Sequence, residues 1–394
     1  MNRKIRWGIL STGKIAQSFA EGLRHLPDAE LAAVGSRTQE AADQFGNRFS
    51  VARRHGSYEA LAADPDVDVI YIGTPHNLHC ENTIMCLEAG KAVLCEKPFA
   101  INAPQAERMI AAARRKNLFL MEAMWTRFLP SMIELRRLVA EGTIGDILMF
   151  EANFGFPADF NPKGRLFNLE LGGGALLDLG IYPLSLAYSL LGRPSRIQSM
   201  ADLGTTGADE RAGAILGYPK GQIAVLHFSV TTDMPCDATI MGAKGRIRVH
   251  APIFRPEKLT ITRRALTPPK ASRVPDSVKR IAKHPLLAPI TNRLTGPRNQ
   301  VLSLPHEGNG YNYEAAEVNR ALREGRLESP RMTLDESLDI MRTMDAIRAP
   351  WGLKYPGDQL AKEELKEDIL DLKNLRDFEL QAASIEDYSK NRRG

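Results

Sequence analysis

Up to about Glu122 the chain alternates short apolar runs with helical patterns, and this alternation constrains its fold more than any other feature. Residues 6–10, 29–37, 67–75, 91–95 and 118–122 read as strands. Helical patterns follow Ser11–Ala16 to about Leu26 and recur at residues 58–61, 79–88 and 104–116. Such alternation implies an α/β fold, a parallel sheet with right-handed crossovers. Ligands in such sheets sit beyond the carboxyl ends of the strands. Thr74, His76, Glu96, Lys97 and Trp125 all follow strand ends, so they are expected to ring one crevice.

The first turn runs from Gly8 through Ser11, Thr12, Gly13, Lys14 and Ile15 into a helix, and a second strand follows. A turn without bulky side chains lets backbone N–H groups at a helix N-terminus approach a pyrophosphate. This is the first unit of a dinucleotide-binding fold, with a degraded fingerprint. Ser11 or Thr12 stands where a glycine is wanted, and Ala16 replaces the last one. An ordinary strand–helix turn is the competing reading; the following strand and the N-terminal position favour the nucleotide. At the end of the second strand, where an acid would hold a ribose hydroxyl, the chain has Ser36 and Arg37, with Glu40 the nearest acid. A guanidinium fork suits a 2′-phosphate. NADP is expected over NAD, with a solvated surface arginine as the alternative.

Two further segments carry chemistry. Cys95-Glu96-Lys97-Pro98 places a lysine at the end of an apolar run. After the glycines at 172–174, Asp178 and Tyr182 stand four apart, on one face of a helix. A lysine, a carboxylate and a phenol that converge can take a proton from a carbinol while a hydride leaves it. An ammonium near the reacting oxygen stabilises negative charge, lowers the pKa of a neighbouring phenol, and lets that phenol act as base or acid. The plain alternative is a Lys97–Asp178 salt bridge beside a core tyrosine.

These blocks, with Trp7-Gly8-Ile9-Leu10-Ser11, Gly56-Ser57-Tyr58, Tyr71-Ile72-Gly73-Thr74 and residues 89–98, 120–128 and 172–182, carry a resemblance. The chain resembles the glucose–fructose oxidoreductase, inositol dehydrogenase and MocA-like oxidoreductases. It is most similar to the branch with dimeric dihydrodiol dehydrogenase and NADP-dependent D-xylose 1-dehydrogenase. The resemblance covers residues 3 to about 262 and resumes near 311–355. It implies a Rossmann domain followed by an α+β domain with a large, mostly antiparallel open sheet. It also implies Lys97 and Tyr182 as the catalytic pair, Asp178 assisting, and a cis Lys97–Pro98 bond. Other branches carry histidine in place of Tyr182, so the phenol favours the sugar and diol branch. Relatives cover the open sheet face with a second subunit, which leads us to expect a homodimer or a dimer of dimers.

The expected division is a Rossmann domain at 1–124, a substrate and oligomerisation domain at 125–358, and a charged amphipathic extension at 359–394. Two domains suit 394 residues. A proline-rich basic insertion, 267–306, interrupts the second domain, and the excess behind the net charge of +5 gathers there. It lacks the aromatic interleaving of a single-strand binder, so a solvated loop is expected rather than a nucleic-acid arm. Trp125 and Arg127 follow a strand end and are candidates for walling or binding the cofactor; Trp125 packing between domains is the alternative. His76 and His79 are placed beside cofactor or substrate, or in local hydrogen bonds. Phe154, Phe156, Arg165 and Asn168 precede the catalytic helix as candidate substrate-lining residues, whereas His227 and His250 read as structural.

No apolar run was expected to approach the ~20 residues of a membrane span, and no metal spacing is present among Cys80, Cys86, Cys95 and Cys236. The cysteines read as reduced thiols of a cytoplasmic protein. The favoured function is hydride transfer between a nicotinamide and a carbinol carbon of a small sugar or diol, of the aldose 1-dehydrogenase or dihydrodiol dehydrogenase type. Two alternatives stay open: a nicotinamide-dependent glycosidase that oxidises, eliminates and re-reduces, and a non-enzymatic nucleotide-binding regulator. Net accumulation of reduced cofactor separates the favoured dehydrogenase from the glycosidase.

Overall fold

The computed structural model describes residues 3–263 and 298–358, with the side chain of Arg298 left aside. The first sheet has six strands: β1 (Ile5–Leu10), β2 (Ala29–Gly35), β3 (Arg53–His55), β4 (Val69–Ile72), β5 (Ala92–Glu96) and β6 (Leu120–Ala123). Their order is β3-β2-β1-β4-β5-β6, and every pairing is parallel. β4 and β5 are buried along their whole length, as strands covered by helices on both faces must be. The covering helices are α1 (Lys14–Leu23), α2 (Gln39–Phe49), α3 (Tyr58–Ala62), α4 (His79–Glu88) and α5 (Ala103–Lys116). The strand order reverses between β1 and β4, so the crevice opens where the turns after those two strands part.

The second sheet has eight strands: β7 (Ile147–Gly155), β8 (Arg196–Leu203), β9 (Asp209–Gly217), β10 (Ile223–Ser229), β11 (Ala238–Gly242), β12 (Gly245–Val249), β13 (Lys258–Arg263) and β14 (Arg298–Ser303). Their order is β14-β13-β12-β11-β7-β10-β9-β8. All neighbours are antiparallel except β7 and β10, which run parallel. The sheet is thus mostly antiparallel, as expected, with β7 and β10 its one parallel pair among the described residues. The chain leaving β7 crosses over through a helix before building the β8-β9-β10 meander, and the meander returns to β7 with its last strand in parallel. β14 corrects an expectation. Residues 298–303, placed in a solvated insertion, form an edge strand paired with β13. The remainder of that insertion up to residue 297, and the extension from 359 onward, lie outside the described residues.

Four more helices complete the fold: α6 (Pro130–Ala140), α7 (Ile181–Leu191), α8 (Tyr311–Arg323) and α9 (Leu334–Arg348). α6, α7 and α9 pack on the second sheet, while α8 lies on α1 and α9 also packs on α5. Buried and part-buried polar bonds tie these late helices to the first sheet's layer. Trp7 Nε1 donates to Asn319 Oδ1 at 3.0 Å, and the Ala103 N–H to Asp345 Oδ2 at 2.8 Å. Met1–Leu353 accordingly forms one compact unit, and a second unit begins at Lys354.

One helical stretch among the described residues, Leu169–Leu191, is long and apolar enough, by length and composition alone, to cross a membrane. Its most apolar window is 83% buried inside the protein, as the central helix of a core is. This same stretch carries Asp178 and Tyr182.

Candidate active site

The glycine cluster shapes the approach to the site. Asn168 Oδ1 caps the short turn Leu169–Leu171 by accepting from the Glu170 N–H. Asn168 therefore holds the loop through this oxygen. Gly172 has φ +75°, and a Cβ there would fall 2.5 Å from Ile101 Cδ1 and 2.9 Å from His76 Cβ. Only glycine fits this left-handed, crowded position. Its carbonyl accepts from His76 Nδ1 at 3.1 Å, which docks the loop against the turn after β4. A π-type turn, Leu176–Gly180, then leads into α7. Asp209 Oδ2 accepts from the Leu176 N–H at 2.7 Å and pins the start of this turn.

Asp178 is the electrostatic centre. Lys97 Nζ donates to Asp178 Oδ1 at 3.2 Å and to its backbone carbonyl at 2.9 Å. Arg165 Nη1 donates to the same Oδ1 at 2.7 Å, and His76 Nε2 lies 3.9 Å from it. Arg165 was placed in the substrate lining; its guanidinium is bound to Asp178. Burial pushes the Asp178 carboxyl up, but Lys97 and then Arg165 pull it well below the usual carboxylate range. Burial is the largest single influence on the Lys97 ammonium and works against it, but Asp178, Tyr182 and Glu96 together outweigh it and raise its pKa, so the lysine stays charged. Burial also pushes the His76 pKa down to about 3, so that ring is neutral.

Lys97 meets Tyr182 through the ring face. Its Nζ lies 4.8 Å from the ring centroid, while the phenol oxygen accepts from Trp125 Nε1 at 3.1 Å. The expected lowering of the phenol pKa is present as a local effect of Lys97 but does not win. Burial of Tyr182 raises its pKa above 10.0, against the pull of Lys97 and the bond from Trp125. The Lys97–Pro98 bond is cis.

An aromatic wall surrounds the phenol. Phe154 meets Tyr182 edge-on at 5.5 Å and stacks on Phe254 at 5.3 Å. Phe156 extends this wall from Phe154. Trp125 stacks on Tyr311 at 4.5 Å, and a Cβ at Gly310, whose φ is +100°, would fall 2.7 Å from Trp125 Cζ3. Sequence reasoning missed Phe254 and Tyr311. Arg127 is corrected in the other direction. Its Nε and Nη2 donate to Ser185 Oγ and O at 2.7 and 2.8 Å, and Nη1 pairs with Glu336 at 2.8 Å. This guanidinium is engaged away from Lys97 and Asp178.

The nucleotide side lies across the turn after β1. Ser11 has φ +116°, the backbone conformation that normally selects glycine, so a serine occupies the fingerprint position. Its Oγ accepts from the Gly13 N–H at 3.2 Å, and Gln17 Nε2 donates to Thr12 O at 3.2 Å. No side chain caps α1, while Gly13 and Lys14 are exposed and Ile15 is half-buried beside Gly73. An uncapped helix start with free N–H groups fits a pyrophosphate. Arg37 is exposed and makes no hydrogen bond or ion pair among the described residues, while the Ser36 N–H donates to His55 O at 3.0 Å. This donor set fits a nicotinamide dinucleotide, with Arg37 free for a 2′-phosphate.

The remaining candidates sit further back. Gly8 lies inside β1, where a Cβ would meet Val67 Cγ1 at 3.0 Å, so it serves packing. Thr74 Oγ1 accepts from Asn82 Nδ2 at 3.1 Å. His79 is fully buried between the Pro98 and Thr74 carbonyls at 2.8 and 3.0 Å. Burial lowers its pKa to about 4, so the neutral ring donates to one of them and braces the Lys97 turn. Glu96 turns inward, accepting from Tyr71 OH at 2.5 Å and the Lys97 N–H at 3.1 Å, and burial raises its pKa to about 7.

A family model described as "Oxidoreductase family, NAD-binding Rossmann fold" matches residues 5–124, and the GFO/IDH/MocA C-terminal domain model matches residues 132–248. Trans-1,2-dihydrobenzene-1,2-diol dehydrogenase of Xenopus tropicalis is 36% identical over 355 residues, covering 89% of this chain and 99% of that one. The enzyme of the same name from Mus musculus is 34% identical over 361 residues, with 90% and 99% covered. Among solved structures, KijD10, a 3-ketoreductase from Actinomadura kijaniata held with NADP and TDP-benzene, superposes with a TM-score of 0.72 at 27% identity. That match covers 88% of this chain and 98% of the other.

Proposed function

The chain belongs to the GFO/IDH/MocA family of NAD(P)-dependent oxidoreductases, and from that premise we propose that it oxidises a ring carbinol of a small cyclic diol or sugar, with Lys97, Tyr182 and Asp178 handling the proton. When bound, the nicotinamide supplies the hydride acceptor. Tyr182 takes the hydroxyl proton at its phenol oxygen, or returns it in the reverse direction. Lys97, held charged by Asp178, stabilises negative charge on the phenol and on the substrate oxygen. Asp178, itself held by Arg165, fixes the Lys97 head and restricts its rotation. The single observation that carries this reading is the Lys97–Asp178 pair at 3.2 Å beside a buried Tyr182.

Several features support the finer assignments. Arg37 at the end of β2 supports NADP as cofactor, as does NADP in the related 3-ketoreductase. The wall of Phe154 and Phe254 supports a substrate with an apolar ring face, consistent with the names of the dihydrodiol dehydrogenases. Four free cysteines, three of them buried, support a reducing compartment, the cytoplasm. The outward face of the second sheet exposes Met149, Met200, Ile215 and Ile223, which supports a homodimer or a dimer of dimers that covers it.

The test is a panel of trans-1,2-dihydrobenzene-1,2-diol, D-xylose and other aldoses with NADP and with NAD, followed at the nicotinamide absorbance and by product chromatography. The expected result is stoichiometric NADPH and oxidised product with at least one of these compounds. Release of free sugar from a glycoside without net cofactor reduction would replace this reading with the glycosidase.

A further inference from the structure

A cleft of about 490 Å³ opens between the end of α7, the start of α9, α6 and the turn Trp125–Phe128. Neither Lys97, Asp178, Arg165 nor Arg37 lines it. Four arginines do: Arg127, Arg136, Arg193 and Arg331. Three acids also line it, and each is already matched. Glu336 pairs with Arg127 at 2.8 Å, Asp339 with Arg193 at 3.3 Å, and Asp335 with Arg114 at 2.7 Å. Arg136 and Arg331 form no ion pair among the described residues. Arg136 is half-buried, and its Nη2 donates to the Arg127 carbonyl at 2.8 Å. Burial, then the charges of Arg127 and Arg331, push its pKa down to about 10. Guanidinium groups gathered in a partly dry cleft repel one another, and that repulsion is relieved by an anion. Ser189 adds a hydroxyl to the lining.

We propose that this cleft binds a small phosphate-class dianion, free or carried on a metabolite, through Arg136 and Arg331. Two guanidinium forks match the charge and the oxygen geometry of such a group. The cleft is lined by the end of the catalytic helix and also reaches its start through Arg127. Arg127, whose carbonyl holds Arg136, is bonded to Ser185, one turn beyond Tyr182. A smaller void shares Arg127, Arg136 and Ser189 with the cleft and reaches Tyr182. Occupancy therefore bears on the turn that presents Trp125 to the phenol.

The experiment titrates inorganic phosphate into the protein saturated with NADP, with chloride holding ionic strength constant, and reads binding by calorimetry and thermal midpoint. The wild type is expected to show saturable binding and a rise in midpoint. Arg136→Gln and Arg331→Gln should each weaken the apparent affinity by about tenfold or more; Arg331 is exposed on a loop, which guards against a folding artefact at Arg136. The same titration in Arg37→Ala separates this cleft from the 2′-phosphate position and should leave the response intact. No saturable response in the wild type, a response in both glutamine variants as strong as the wild type's, or a response abolished only by Arg37→Ala overturns the proposal.

Discussion

The Lys97 ammonium stands 4.8 Å from the centre of the Tyr182 ring, while its hydrogen bonds run to the carboxylate and the carbonyl of Asp178. Lysine and phenol are thus coupled by charge across a ring face, and among the described residues the side chain bonded to the phenol oxygen is Trp125. The lysine is free to serve the reacting oxygen while still favouring phenolate. Tyr182→Phe and Lys97→Met should each lower kcat by ~10²–10⁴ and leave nucleotide affinity largely unchanged. Steady-state rates and nucleotide-fluorescence titrations check this. A variant that keeps more than about a tenth of the wild-type kcat loses its catalytic assignment.

The pH dependence follows from the direction of the Tyr182 shift. Its pKa lies above 10.0, because burial outweighs Lys97 and Trp125. Oxidation uses the phenolate, so its rate should rise with pH through the alkaline range. Reduction uses the phenol, so its rate should stay level through neutral pH and fall only as that raised pKa is passed. Lys97 has a raised pKa of its own and remains charged through neutral pH. Its replacement by methionine should move the residual oxidation profile to still higher pH. Rate profiles in both directions decide the matter; parallel profiles would remove Tyr182 from the proton path.

Arg37 is the exposed group expected to choose between cofactors. Arg37→Ala should weaken NADP by about 1.5–3 kcal/mol, the worth of a charge-assisted hydrogen bond, and barely affect NAD. Competitive titration of the two nucleotides measures the difference. Equal weakening, or tighter NAD binding by the wild type, would reject the 2′-phosphate assignment.

Much of the first sheet was legible because strands buried on both faces are continuous apolar runs, as in β4 and β5. The Lys97, Asp178 and Tyr182 group was legible because a strand end and a helical spacing each leave a local mark. The misses are long-range. Nothing local to Tyr311 or Phe254 announces that one stacks on Trp125 and the other on Phe154. The parallel β7–β10 pairing depends on how the chain crosses over, which strand patterns do not encode. Ser11 shows the opposite problem. The residue type argued against the fingerprint, yet the backbone adopts the glycine conformation.

Asp209 gives a stability prediction. It is fully buried, one oxygen accepts from the Leu176 N–H, and Oδ1 has no hydrogen-bond partner among the described residues. Burial raises its pKa from 3.8 to about 7. For a group whose folded pKa is raised, the stability contribution is fully present below the unfolded value and is lost as pH climbs to the folded one. The protein should therefore lose stability between about pH 4 and 7, by up to ~4 kcal/mol from this residue. Asp209→Asn keeps the acceptor oxygen and should flatten that slope. Denaturant midpoints across the same range test it, and an unchanged slope in the variant would show that Asp209 is ionised when folded.

The second sheet supplies the last prediction. Register places Ile215 opposite Gln198 and Val225, with Glu151, Thr239, Arg248, Thr260 and Val301 continuing one row across the outward face. The alternate residues, such as Leu226, Ile240, Ile247 and Ile261, are buried on the other face. Along the outward face Met200 is 79% exposed, Val301 56%, Ile215 50% and Met149 43%. A mixed apolar and polar face of this breadth fits a self-complementary interface about a two-fold axis, where each row meets its own copy. Light scattering of the wild type at micromolar protein should return a dimer or tetramer mass. Ile215→Glu brings two carboxylates to a buried seam, where desolvation opposes association, and should shift the mass to monomer while the far-ultraviolet circular dichroism is retained. A concentration-independent monomer in the wild type would rule the interface out. A dimer that survives Ile215→Glu would move it off this face.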